Sequence, residues 1–61
     1  MNAATSAREA DLQATTPAVL RAIAWRRGKP FPTPRTAAER RAIIAWILAA
    51  EQSAGLLEEA K

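Results

Sequence analysis

The chain has no cysteine, no histidine and no tyrosine, and it has two glycines in 61 residues. Without Cys, no disulfide staples the fold and no thiolate holds a metal. Without His, Cys or Tyr, most nucleophile–base arrangements are unavailable. Gly28 and Gly55 stand far apart, so there is no glycine-rich phosphate loop. The serines, Ser6 and Ser53, fall where helix ends are expected. The acids are Glu9, Asp11, Glu39, Glu51, Glu58 and Glu59. On a helix the adjacent Glu58 and Glu59 diverge by about 100° and make a poor acid–base pair. No loop alternates oxygen ligands as a calcium or magnesium site requires. The expectation is a non-catalytic protein with no cofactor, no metal and no small-molecule substrate.

Long apolar runs are also missing. The longest stretch without a polar residue is AIIAWILAA, nine residues between Arg41 and Glu51. A membrane span needs about 20. The first seven residues carry no Lys or Arg, and no apolar segment of signal-peptide type follows. These features lead to the expectation of a soluble, cytoplasmic protein.

What is present points to helices. A chain this short makes one domain and buries only about 60% of its unfolded surface. SARE at 6–9 reads as a capping box, with Ser6 as cap and Glu9 reaching back. It predicts a first helix over about 7–14, whose one large apolar residue, Leu12, must dock for the helix to be stable. In TTP at 15–17, Thr16 suits an N-cap and Pro17 a first helical position. The second helix then covers about 17–27, with Gly28 as the left-handed residue past its end. TAAE at 36–39 is a second capping box and predicts a third helix over about 37–53, with Gly55 near its end. Between these two helices, prolines at 30, 32 and 34 force an extended connector over 28–35. Phe31 is expected to plug the core from this strut.

The predicted fold is therefore all-α: a small three-helix domain with an extended Pro-rich connector. Its organisation is a flexible N-terminus over 1–6, a helical domain over 7–57 and a tail over 58–61. The three-residue spacing of Glu58 and Lys61 is compatible with a helical tail.

Two features carry the functional reading. Six of the nine cations lie between residues 26 and 41: Arg26, Arg27, Lys29, Arg35, Arg40 and Arg41. Arg26 and Arg27 suit the negative end of the second helix, but Arg40 and Arg41 sit in the first turns of the third, where cations oppose the dipole. The second feature is apolar. Val19, Leu20 and Ile23 share one arc of helix two, and Trp25 lies off it beside Arg21. Ile43, Ile44, Trp46, Ile47 and Leu48 spread over about 200° of helix three, twice the usual core-facing stripe.

The favoured expectation is a protein-binding module, such as a small inhibitor, adaptor or regulatory subunit. It docks through the apolar face of helix three, with Trp25, Ile44, Trp46 and Leu48 at the interface, and the basic patch steers it to its partner. A second copy of the chain is one candidate partner. The alternative is a dimeric DNA-binding regulator with backbone-dominated contacts from residues 26–41, if antiparallel helices bring those cations to one end. The alanine-rich surface of helix three offers few groups to read base edges. A membrane-surface role fits poorly, because Arg26 and Arg27 sit over the apolar arc rather than opposite it.

Overall fold

The structure is a computed structural model and describes residues 3–55. It is a three-helix domain: α1 (Ala3–Gln13), α2 (Pro17–Arg26) and α3 (Ala37–Ser53), with no strand among the described residues. The expected all-α fold and its extended connector are present. The proposed helical tail at 58–61 lies outside the described residues, as do Leu56 and Leu57.

α1 starts earlier than the SARE box predicts. The helix already includes Ala3, so Ser6 lies inside it rather than capping it, and residues 3–6 belong to the helix instead of preceding it. The alanines at 3, 4 and 7 are strong helix formers and carry the helix through Ser6. Glu9 accordingly faces along the helix, where Gln13 Nε2 donates to its Oε2 at 3.5 Å.

α2 begins as expected, with Thr16 in the extended N-cap conformation and Pro17 at the first position, although the Thr16 hydroxyl makes no capping bond. Its end is a full Schellman motif. The Gly28 amide donates to the Trp25 carbonyl and the Lys29 amide to the Ala24 carbonyl, each at 3.0 Å. Gly28 adopts φ +109°, a conformation closed to most L-residues. At α3 the Thr36 hydroxyl accepts from the Glu39 amide at 3.1 Å, as the TAAE box predicts. The Glu39 carboxylate takes the amide of Arg35, one residue before the cap, at 2.7 Å. Gly55, at φ +79°, ends α3, and its amide donates to the Gln52 carbonyl.

Helix directions follow from long-range contacts. Arg8 of α1 meets Glu51 near the end of α3, whereas Arg40 near the start of α3 reaches Leu12, Gln13 and Thr15. α1 therefore runs opposite to α3. Arg27, just past α2, also meets Glu51, so α2 runs in the same direction as α3. Two helices joined in sequence but pointing the same way need a return path, and residues 28–36 provide it. The connector descends along α3: the Phe31 ring meets Trp46 edge-on at 5.6 Å, and Pro34 is buried near Ile43. The prolines keep it extended, and it covers α3 as a strap.

The core is Leu12, Leu20, Ala24, Ile43, Ile44 and Ile47, with Ile23, Phe31, Trp46 and Leu48 packed against it. Leu12 docks α1 as expected, and Phe31 packs on the core from the strap. Val19 departs from the expected arc and is 49% exposed. α2 buries its Leu20 and Ala24 face instead, because α3 packs on that side.

Candidate functional site

The structure divides the six cations of the basic middle. The Arg40 guanidinium does not project outward. Its Nη2 donates to the carbonyls of Leu12, Gln13 and Thr15. These carbonyls cluster where α1 ends, and the dipole there favours a positive charge; that of Leu12 also accepts from the Thr15 amide at 3.1 Å. A cation that seemed to oppose the dipole of its own helix thus serves the dipole of another. α1 carries no glycine cap, and Arg40 takes that place.

Arg27 is also engaged. Its Nε donates to Glu51 Oε2 at 3.1 Å. Arg8 grips the same carboxylate with two bonds, Nε to Oε1 at 2.9 Å and Nη2 to Oε2 at 3.0 Å. Glu51 is 2% exposed and so joins α1, the end of α2 and α3 at one point. Burial alone pushes the Glu51 carboxyl up. The hydrogen bonds and positive charges of Arg8 and Arg27 outweigh this and hold it below its ordinary range. The hydrogen bond to Glu51 likewise raises the Arg8 guanidinium above its ordinary value, against the opposing effect of burial.

Sequence reasoning missed Glu51 as a functional position of the fold. The signal was present: Ile43, Ile47 and Glu51 follow one another at four-residue intervals, so Glu51 continues the buried stripe. An acid on that stripe demands a cation.

Arg26, Lys29, Arg35 and Arg41 are exposed. They do not form one patch. Because α2 and α3 run the same way, Arg26 and Lys29 lie at the Glu51 end of the bundle and Arg35 and Arg41 at the other. From Arg40 to Glu51, α3 rises about 16 Å. The antiparallel arrangement that would have gathered them is absent. The Lys29 ammonium stands 5.5 Å from the Phe31 ring centroid, within cation–π range.

The expected interface residues are also redistributed. Ile44 is 5% exposed and belongs to the core. Trp46 is half-buried beneath Phe31, and Leu48 is half-buried beside the core. The wide apolar face of α3 is covered by α1 on one side and by α2 and the strap on the other. A groove of about 420 Å³ stays open between α1 and α3, with Glu9 and Gln13 on one wall and Arg41, Ile44, Ala45 and Leu48 on the other.

Trp25 is different. It is 58% exposed, and with Val19 it forms the pair of exposed large hydrophobics among the described residues. Both lie on the outer face of α2. The Arg21 guanidinium sits over the Trp25 ring at 5.4 Å from its centroid. α2 contains no acid, and its outer face adds Arg26 to Arg21.

Among the described residues no group of acidic side chains gathers as a metal site, and no helix is long and apolar enough to cross a membrane. Scans of family models, of curated proteins and of solved structures found no match to this chain.

Proposed function

We propose that this chain is a non-catalytic protein-binding module whose docking surface is the outer face of α2. The observation that carries the reading is the exposure of Trp25 and Val19 on one side of a helix whose other side is fully used by the core. A large aromatic on a rigid helix is a typical anchor of a protein interface, and a neighbouring arginine is the other residue type enriched there. Arg21 holds the Trp25 ring from one side, which limits its rotamers before a partner arrives. The basic residues that remain exposed favour approach of an acidic partner.

The docking surface thereby moves from α3 to α2. Ile43, Ile44 and Ile47 are buried within the domain and are not free to meet another chain. Support for nucleic-acid binding is reduced, since Arg27 and Arg40 are engaged internally and the other cations are divided between two ends.

The test joins two measurements. A photo-crosslinking residue at Ala22 is expected to give a discrete protein adduct in the cell that makes this chain, and the Val19→Ser, Trp25→Ser double variant is expected to lose it while keeping its helical circular dichroism. A labelled random-sequence duplex, titrated at several salt concentrations, is expected to bind weakly. A log–log salt slope near −5, meaning about six neutralised phosphates, would overturn the reading in favour of nucleic acid.

A further inference from the structure

The outer face of α2 has a shape as well as a composition. At about 100° per residue, Arg21 and Trp25 form one ridge, and Val19 and Arg26 lie on the far side. Ala18 and Ala22 run between them, one turn apart, and all six are exposed. The two alanines form a shallow channel along the helix. A channel of small residues between two ridges accepts the ridge of another helix at close approach. Among the described residues the flanking cations have no ion-pair partner, and the salt bridges there are those of Arg8 and Arg27 with Glu51.

We infer that the partner segment is an acidic amphipathic helix laid along the Ala18–Ala22 channel, with apolar residues against Val19 and Trp25 and carboxylates paired to Arg21 and Arg26. The inference rests on α2 being the docking face. Among the described residues, a second copy of this chain does not suit that face. Two-fold pairing of α2 on α2 would set like charges against each other, which disfavours contact. A head-to-tail contact would need acids and an apolar anchor on another helix. α1 has Glu9 and Asp11, two residues apart and thus diverging by about 200°, and its one large apolar residue, Leu12, is buried.

The experiment is an unbiased selection of helical peptides displayed on phage against the full chain, followed by affinity measurements with the selected peptides. Selected sequences are expected to carry two or more Glu or Asp, about one turn apart, flanking a large apolar residue. Arg21→Glu with Arg26→Glu is expected to weaken them about tenfold or more, and peptides with Lys in place of those acids are expected to restore binding to the reversed variant. Ala22→Gln, which fills the channel without touching the core, is expected to weaken them comparably, with thermal melts confirming that both variants fold. Peptides without acids whose binding falls on Trp25→Ser would overturn the acidic partner while leaving α2 as the docking face. Binding insensitive to Trp25, Ala22 and the arginines would overturn both. Binding to phosphatidylserine vesicles with no selected peptide would overturn both in favour of a lipid surface.

Discussion

The guanidinium of Arg40, in the first turns of α3, donates to the carbonyl of Gln13, the last residue of α1. One side chain thereby ends one helix from within another. Arg40→Met removes the donors and takes this partner from the carbonyls of Gln13 and Thr15, while that of Leu12 keeps the Thr15 amide. The expected loss is about 1–2 kcal/mol, or roughly 4–15 °C in Tm for a domain of this size. Arg40→Lys should recover part of it, since an ammonium cannot present the same fork of donors. A Tm unchanged in Arg40→Met, with weakened anion binding instead, would return Arg40 to the surface role its sequence position suggested.

Glu51 makes stability depend on acid. Its carboxyl lies below its ordinary value of 4.5 when folded. A depressed acid contributes stability that is complete above the unfolded value and is lost as pH falls through the folded one. Melting temperature should therefore hold from neutrality to about pH 5 and decline below it. Glu51→Gln should lower Tm at pH 7 and flatten the decline in acid. The loss at pH 7 should reach about 2–3 kcal/mol, below the usual range for a broken buried pair, because Arg8 and Arg27 are part-exposed and can turn to water. An unchanged acid slope in the variant would show that Glu51 is not the group responsible.

Phe31 fastens the strap to α3. Phe31→Ala should cost about 2–3 kcal/mol, less than a fully buried aromatic, because the ring is half-buried. It should also uncover Trp46, with which it stacks edge-on. In a Trp25→Phe background, where Trp46 is the remaining indole, its emission should shift to the red. Emission that stays put would mean that other groups shield Trp46.

Gly28 tests the backbone alone. A Cβ placed there meets nothing within 4 Å, so any cost of Gly28→Ala comes from its φ of +109°. The expected loss is about 1–2 kcal/mol. Denaturant melts should show a lower midpoint with an unchanged m-value; an unchanged midpoint would mean that the Schellman end of α2 tolerates another conformation.

Local signals in the chain specify the elements well. Thr36 and Glu39 start α3, Gly28 ends α2, Pro17 opens α2, and the three spaced prolines forbid a helix between them. Each works through bonds or dihedrals within a few residues, so each is legible without the fold. Ser6 shows the boundary of that method, since a good capping sequence lost to the alanines that extend α1 through it.

The roles of the charged residues were decided only by tertiary structure. Arg8 and Glu51 are 43 residues apart, and Arg40 and Gln13 are 27 apart. No local pattern states that α2 and α3 run the same way, yet that direction splits the basic middle between two ends and turns the connector into a strap. The same packing chose which side of α2 faces inward. It buried Ala24 and left Val19 and Trp25 outside, because burial follows the contacts of a whole face rather than the hydrophobicity of one residue. The amino-acid sequence by itself determined where α2 and α3 begin and end, because their signals act within a few residues; the free energy of packing decided which charges were consumed within the molecule and which surface was left to meet another.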